Sequence, residues 1–448
     1  MSYQAPRDLL EVMHKIEYEE ALQPEDPRNV DTQAARGSQK TYTRLARKFG
    51  LWQTGEQIRF MPTAQKHVLF FGHTGSGKTT ELRRYARDLG GNDRFFVVEV
   101  NISIDLDRNN LQYADTLMAM ARALLADLAQ VSVNLGTDAL AGLENWFGER
   151  VMTADDVKDY SVEMKATAGI DGGIPYLLKL FAGFTSAFKA NATYKDSLRK
   201  VIRNTFSQFA EAFNEMLEQA ETALQAEGIG RRVLFIIDGT DKLRGEDTRR
   251  FFVEDAELLL AIQAHVIYTA PLSLKYEGNL TQRLDADLML PMMKLYDKAG
   301  ARHEPGWQTL REILLRRADR SVFADEAVIT QLIEHSGGHP RELLRLLKLC
   351  CEFAEDGYID APTVAQAIRQ LASEYRRFLE PDDYKTLVQL DRDSEHTGND
   401  ERIRRLLYNL ALLEYNDGSW RRSHPVVRTL DGYHLAAAQA VKAAENPV

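Results

Sequence analysis

The sequence predicts an α/β protein built on a parallel sheet, followed by a helical segment and a small C-terminal module. Three observations carry this. Short apolar runs of strand length recur, His67–Phe71 and Val233-Leu234-Phe235-Ile236-Ile237 being the clearest. Long stretches of helical periodicity separate them, and alternating strands and helices pair in parallel because each crossover returns the chain to the same end of the sheet. A glycine-rich turn ends the first run and opens a helix.

Taken in order, residues 1–36 are polar, contain Pro24 and Pro27, and are expected to form an arm that packs late or not at all. A short helix is expected over 42–49. After the first strand a helix runs from Lys78 through Leu89, and residues 94–100 read as a second strand. Leu111, Ala114, Leu117, Met118, Ala121, Leu124, Leu125 and Leu128 repeat at helical spacing. Residues 131–230 form an insertion with an apolar stretch, 174–188, and a long charged helix over 195–227. That apolar stretch reads either as a segment packed on the core or as a partner surface, the first being the ordinary fate of apolar chain. Strands over 233–237, 265–269 and 287–294 complete the sheet. The expected division is an arm, 1–36; a core, 37–304; a helical segment, 305–378; and a small domain, 379–448.

Hydrophobic residues make up 44% and charged residues 27% of the 448, the composition of a soluble globular chain long enough for two or three domains. The formal net charge of −10 argues against a protein that coats nucleic acid by charge alone. The two cysteines, Cys350 and Cys351, are adjacent, which excludes a disulfide framework or a cysteine zinc site and fits a reducing compartment. The first twenty residues are charged throughout, unlike a signal peptide, and no run reaches the roughly 20 apolar residues of a bilayer span. A cytoplasmic protein with no membrane partner is expected.

Gly72-His73-Thr74-Gly75-Ser76-Gly77-Lys78-Thr79 matches G-x-x-x-x-G-K-[ST] at every fixed position, between a buried strand and a helix. Each residue type has a reason. Glycines let successive backbone N–H groups converge on one anion, and the helix N-terminus points its positive end at the same place. Lys78 is expected to reach the β- and γ-phosphates of ATP, and Thr79 to offer its hydroxyl to Mg²⁺. Thr74, Ser76 and Thr80 complete the set of nucleotide-binding candidates. The chain therefore reads as a P-loop NTPase. The strand at 233–237 ends in Asp238-Gly239-Thr240-Asp241-Lys242, and a carboxylate at such a strand tip is where a second Mg²⁺ ligand, Asp238, belongs. Asp241 is the best remaining carboxylate to orient a water. Thr269 ends the strand at 265–269, either as a polar sensor of the γ-phosphate or as a plain strand terminus.

Ser336-Gly337-Gly338-His339-Pro340-Arg341 joins two helical segments, with Pro340 suited to a first helical turn. The loop, the Asp-Gly-Thr-Asp turn, the Thr-Ala-Pro turn and this segment occur in an order that resembles the STAND and origin-recognition-like branch of AAA+ ATPases, over about residues 40–378. The resemblance implies a lid in which Pro340 lies near the nucleotide and Arg341 acts as a second sensor. It also implies an arginine finger, Arg283, that reaches a neighbouring subunit's nucleotide, where its loss can cost ~10³-fold or more in rate. Relatives place Glu directly after the strand-end Asp; here that residue is Gly239, so slow hydrolysis is expected.

Residues 400–408 read as an amphipathic helix, and Asn416-Asp417-Gly418 as a hairpin turn. Helix followed by hairpin is similar to a winged helix, and Arg402, Arg404, Arg405, Arg421 and Arg422 would give it a basic edge. Two functions follow. One is a nucleotide-operated switch that forms homo-oligomers and controls a separate effector protein, as in bacterial defence or signalling ATPases of the STAND type. The other is a DNA-associated ATPase, a loader or transposition-type regulator, that uses those arginines on phosphate. A stand-alone ATPase or kinase acting on a small molecule ranks last, because nothing offers a second substrate pocket.

Overall fold

A computed structural model describes residues 3–55, 57–102, 111–153, 173–243, 245–276, 280, 284–393 and 398–445. The chain divides into two compact units, one of Arg44–Phe70 and Tyr85–Leu288, the other of Met1–Thr43, Phe71–Arg84 and Met289–Val448. This differs from the linear order of domains expected above: the phosphate loop groups with the arm and with everything beyond residue 288.

The first unit opens with an antiparallel hairpin that the sequence did not announce, β1 (Leu51–Thr54) and β2 (Gln57–Phe60). The sheet follows: β3 (His67–Phe71), β4 (Phe95–Asn101), β5 (Arg232–Asp238), β6 (His265–Ala270) and β7 (Asp285–Met289). Its order is β4-β5-β6-β3-β7, all parallel, in a mixed α/β fold of the P-loop NTPase kind. Every residue of β3 and β6 is buried, which explains their unbroken apolar runs. The last strand ends at Met289 rather than at 294. The Leu290 N–H still donates to the Phe71 carbonyl at 2.8 Å, but Pro291 has no N–H with which to continue.

Helix Tyr113–Gln130 forms as its periodicity predicts. Within the insertion, the apolar stretch is helix Ile174–Ala190, whose Leu177, Leu180, Phe181 and Phe184 are buried. Phe147 packs between Trp146 and the rings of Phe181 and Phe184, so this face of the stretch packs in the core. The long charged helix is two, Ala192–Asn204 and Phe206–Ala226. The break is Thr205, whose hydroxyl donates to the Val201 carbonyl at 2.8 Å and accepts from Trp146 Nε1 at 3.2 Å. Arg199 and Asp115 form a buried ion pair, with Nε to Oδ1 at 3.0 Å.

The second unit corrects the reading of residues 1–36. They hold helix Leu9–Lys15, capped by the Asp8 carboxylate, and the short helix Gln33–Arg36. Val12, Leu22, Val30 and Ala35 are buried anchors spaced too irregularly to show a period. The arm is tied down by backbone groups as well: the Asp319 N–H donates to the Pro6 carbonyl, and Arg316 to that of Pro27 at 2.9 Å. Helices Glu304–Leu315, Glu326–His335, Pro340–Phe353 and Ala361–Arg376 form the helical segment. Helices Pro381–Arg392 and Glu401–Tyr408, the hairpin of β8 (Leu412–Tyr415) and β9 (Trp420–Ser423), and helix Asp431–Glu445 complete the chain. The hairpin turns at Asn416 and Gly418, both at positive φ, as the Asn-Asp-Gly signal requires. Among the described residues no helix is long and apolar enough to cross a membrane.

Candidate nucleotide site

The chain leaves β3 at Phe71 and enters helix Lys78–Leu89 through the glycine loop. Gly77 has φ +95, a conformation closed to most side chains, and this turns the loop's N–H groups inward ahead of the helix. Lys78 is buried and its ammonium donates to the carbonyls of Gly72 at 2.9 Å and His73 at 3.0 Å. Its charge is therefore held inside the loop, over the position a phosphate takes in this motif. The Ser76 hydroxyl is fully buried with no hydrogen-bond partner among the described residues. A buried orphan donor beside a glycine cradle fits a phosphoryl oxygen.

Three groups of neighbours within the same unit hold the loop. The first is the arm. Arg36, 2% exposed, sends Nη2 to the Ser76 carbonyl at 2.5 Å, Nη1 to that of Pro291 at 2.7 Å, and Nε to Thr32 Oγ1 at 2.8 Å. Thr32 in turn donates to the Glu81 carboxylate, and the Leu22 N–H donates to Thr80 Oγ1 at 3.3 Å. The second is the segment Gly337-Gly338-His339-Pro340-Arg341. Gly338 has φ +85 and packs so tightly that a Cβ would sit 2.0 Å from the Met293 carbonyl oxygen. His339 caps the helix that Pro340 begins, accepting the Glu342 N–H at Nδ1, so its proton is on Nε2, which donates to the Thr74 carbonyl at 2.9 Å. Arg341 lies against Gly75, where a Cβ would stand 2.6 Å from its Nε. The third is the C-terminal hairpin: the Glu414 N–H donates to His73 Nε2 at 2.9 Å.

The two histidines are neutral. Burial, then the Lys78 charge, pushes His73 down to about 3. Burial pushes His339 well below its usual value as well, helped by His73 and Arg341. Neutral rings can accept and donate in the pattern seen; protonated ones could not. Behind the loop lies a cavity of about 100 Å³, with Tyr18, Leu22, Ile313 and Leu344 as apolar walls and Arg317, Pro340 and Arg341 on its lid side. Burial pulls Arg317 down to about 10.

The remaining candidates lie in the other unit. Asp238 ends β5, paired in register with Asn101. Thr269 and Asp241 do come together there. The Thr269 hydroxyl accepts the Gly239 N–H at 2.9 Å and donates to Asp241 Oδ1 at 3.3 Å, while Thr240 donates to the Thr269 carbonyl. Both side chains are buried. Arg283 lies outside the described residues.

Of the expected basic edge of the C-terminal module, Arg421 is buried and paired, while Arg402, Arg404, Arg405 and Arg422 are part-exposed. Arg421 is 2% exposed and pairs with buried Glu414 at 2.9 Å. Arg405 makes a two-pronged pair with buried Asp383, at 2.6 and 2.8 Å, and Arg402 approaches the same carboxylate at 3.7 Å. Arg422 lies over Trp420. Arg405 and Arg421 are met by carboxylates of the neighbouring helix and of the paired strand, and a reading of charge along the chain does not display that.

A parallel sheet whose β3 feeds a glycine loop and a helix starting at Lys78 decides the fold. It is a P-loop NTPase fold. No family model matches the chain, and no curated protein matches it. Among solved structures the chain is similar to the ORC2 protein of Aeropyrum pernix, described in ADPNP–ADP complexes. That likeness has 12% identity and a TM-score of 0.34, and covers 92% of this chain and 100% of that one. It is also similar to a variant of RuvB from Thermotoga maritima, with 17% identity and a TM-score of 0.26 over 53% of this chain and 84% of that one.

The sequence missed Arg36, Thr32, His73, His339 and Glu414 as neighbours of the P-loop. His73 and His339 stood inside recognised motifs at positions the motifs leave open. Arg36 carried one local signal, the Gly37 that follows it at φ +70 as a helix stop.

Proposed function

We propose that this chain is a switch ATPase. It binds ATP with Mg²⁺ at Gly72–Thr79, hydrolyses it slowly, and uses nucleotide state to control self-assembly and a separate effector protein. In this reading Lys78 holds the β- and γ-phosphates, and the Thr79 hydroxyl and the Asp238 carboxylate hold Mg²⁺. These are the hard oxygen donors that ion takes, and the ion offsets phosphate charge. Asp241 and Thr269, already bonded to each other, orient the attacking water. Pro340 and Arg341 lie on the lid side of the nucleotide, and Arg283 acts on a neighbouring copy.

The observation that carries the switch reading is the small size of the cavity behind the loop. A cavity of about 100 Å³ is well below the roughly 300–1,000 Å³ of a typical small-molecule site, so ATP has to displace arm or lid side chains to enter. The backbone beside those side chains is bonded onward. His339 ties the lid to Thr74, and His73 ties the loop to the C-terminal hairpin. A nucleotide that binds the opened site better than the closed one then shifts the lid and the outer module together, and such differential affinity is what a ligand-operated switch requires. The DNA reading is weakened at Arg421, which is buried and paired with Glu414, and at Arg405, which is paired with Asp383.

Light scattering on the protein alone, with ADP and with ATP–Mg²⁺, tests the reading. A larger mass with ATP than with ADP is expected. One mass in all three states, with nucleotide shown to be bound, would remove assembly as the output.

A further inference from the structure

The hairpin of β1 and β2 leaves one edge of β2 open. The two strands pair with each other, and β2 has no strand on its far side among the described residues. Register fixes which backbone groups face outward. The Met61 N–H donates to the Gly50 carbonyl at 2.8 Å, so the pair that follows Leu51–Phe60 is a hydrogen-bonded one. Bonded and non-bonded pairs alternate along an antiparallel ladder, so Arg59 and Gln57 also turn their backbone groups toward β1. Ile58 and Phe60 turn theirs away, and among the described residues the N–H and C=O groups of these two have no partner.

A groove of about 670 Å³ runs along this edge. Its one wall is Ile58, Arg59, Phe60 and Met61. Consecutive strand residues point to opposite faces, so four in a row line one groove only where it follows the strand's edge. The facing wall carries Asp93 and Arg94, just before β4, and Arg231, just before β5. Sheet edges are ordinarily protected by charge, proline or a covering element. Here a single charge, Arg59, stands between apolar neighbours, and Ile58 is 44% and Met61 66% exposed. Bare apolar side chains beside unpaired amides make a template for another strand.

Charge selects the strand. In the groove Arg59, Arg94 and Arg231 stand against one carboxylate, Asp93. Asp93 lies 3.6 Å from Arg231, and so exposed a pair is weakly held. Arg94 sends Nη1 to the Asp88 carbonyl at 2.7 Å, a bond that leaves its charge uncancelled. Trp52, directly opposite Arg59 on β1, lies under Arg47 at 5.0 Å, which puts another cation on the Arg59 face. A second copy of this edge would bring like charges together. A phosphate backbone would meet the arginines but offers no donor to the outward carbonyls, whereas an extended peptide supplies donor and acceptor together. We propose that the β2 edge docks an extended acidic segment of a separate partner protein, which adds a third strand to the hairpin. Its backbone pairs with Ile58 and Phe60. Its side chains alternate, acidic ones meeting Arg59 on one face and apolar ones meeting Ile58 and Phe60 on the other.

The test is fluorescence anisotropy with the full-length protein and a labelled probe of alternating glutamate and valine, about six residues long to span the edge. Saturable binding is expected, and a lysine–valine probe should fail to bind. Of the two forms of the glutamate probe N-methylated on alternate amides, the one whose methyls meet β2 should bind at least roughly tenfold more weakly. Ile58→Pro removes an N–H that makes no bond to β1, a place where an edge strand tolerates proline, and should weaken binding likewise. Arg59→Glu, at an exposed position that spares the fold, should weaken the glutamate probe at least roughly tenfold and admit the lysine probe. A glutamate probe that does not bind, full affinity in both methylated forms, or an unchanged preference in Arg59→Glu overturns the proposal. So does a single-stranded oligonucleotide that binds more tightly than the probe and is lost in Arg59→Glu, which would assign the edge to nucleic acid. A wild-type dimer that Ile58→Pro dissociates would assign it to a second copy and overturn the proposal equally.

Discussion

Arg36→Met removes the clamp that joins the arm to the phosphate loop. The native guanidinium is buried, and its charge-assisted bonds include those to the Ser76 and Pro291 carbonyls and to Thr32 Oγ1. Each is worth about 1.5–3 kcal/mol when one partner is lost. The simple sum overshoots, because the three share one rigid fork and the methionine chain keeps part of the apolar contact. A loss of about 3 kcal/mol is expected, roughly a hundredfold in an equilibrium constant. It should appear twice. Urea unfolding should shift to lower denaturant, and a fluorescent ATP analogue should bind at least roughly tenfold more weakly, since the Ser76 carbonyl no longer fixes the loop's conformation. Arg36→Lys keeps the charge but cannot present three donors in one plane, so it should recover little of either loss. Wild-type nucleotide affinity in Arg36→Met, alongside reduced stability, would refute the reasoning: the arginine would then staple the arm without shaping the loop.

Other outcomes follow from the same structure. Lys78→Ala should abolish ATP binding by calorimetry, whereas Asp241→Ala should spare binding and slow hydrolysis; normal turnover in the second would reassign the water-orienting role. Arg199→Met strands the buried Asp115 carboxylate and should cost ~3–5 kcal/mol in a denaturant titration, with the Asp115→Asn, Arg199→Met pair costing less than either charge left alone. Burial lowers His67 to about 4, and His73, His265 and His424 to about 3. Between those values and the ordinary 6.5 the unfolded chain binds more protons than the folded one. The stability these rings contribute is thus whole above 6.5 and falls as pH drops toward 3 to 4. Unfolding midpoints at about pH 7.5 and about pH 5.5 should differ, the lower pH being less stable; equal midpoints would mean the rings are not held neutral.

The sequence alone determined the sheet and the loop, because both are local. A short apolar run such as Val68-Leu69-Phe70-Phe71, ended by glycines, has the length of a buried strand, and Gly-Lys-Thr in the turn after it is the signal for a helix opening onto an anion. Helix Tyr113–Gln130 and the Asn416–Gly418 turn were legible for the same reason, since period and turn chemistry act over a few residues. Partnership was decided only by tertiary structure. Arg36 lies 40 residues from Ser76 and 255 from Pro291. His73 lies 341 from Glu414, and nothing in the spacing of either pair marks them. The arm looked unstructured because its anchors follow no period; its order comes from hydrogen bonds to the loop and to Arg316 that exist only once the chain has closed. The arginines of the C-terminal module looked like a basic edge for the complementary reason. Charge is a property of the residue, but exposure belongs to the fold, and Arg421 is a surface cation in sequence and a buried, paired one in three dimensions.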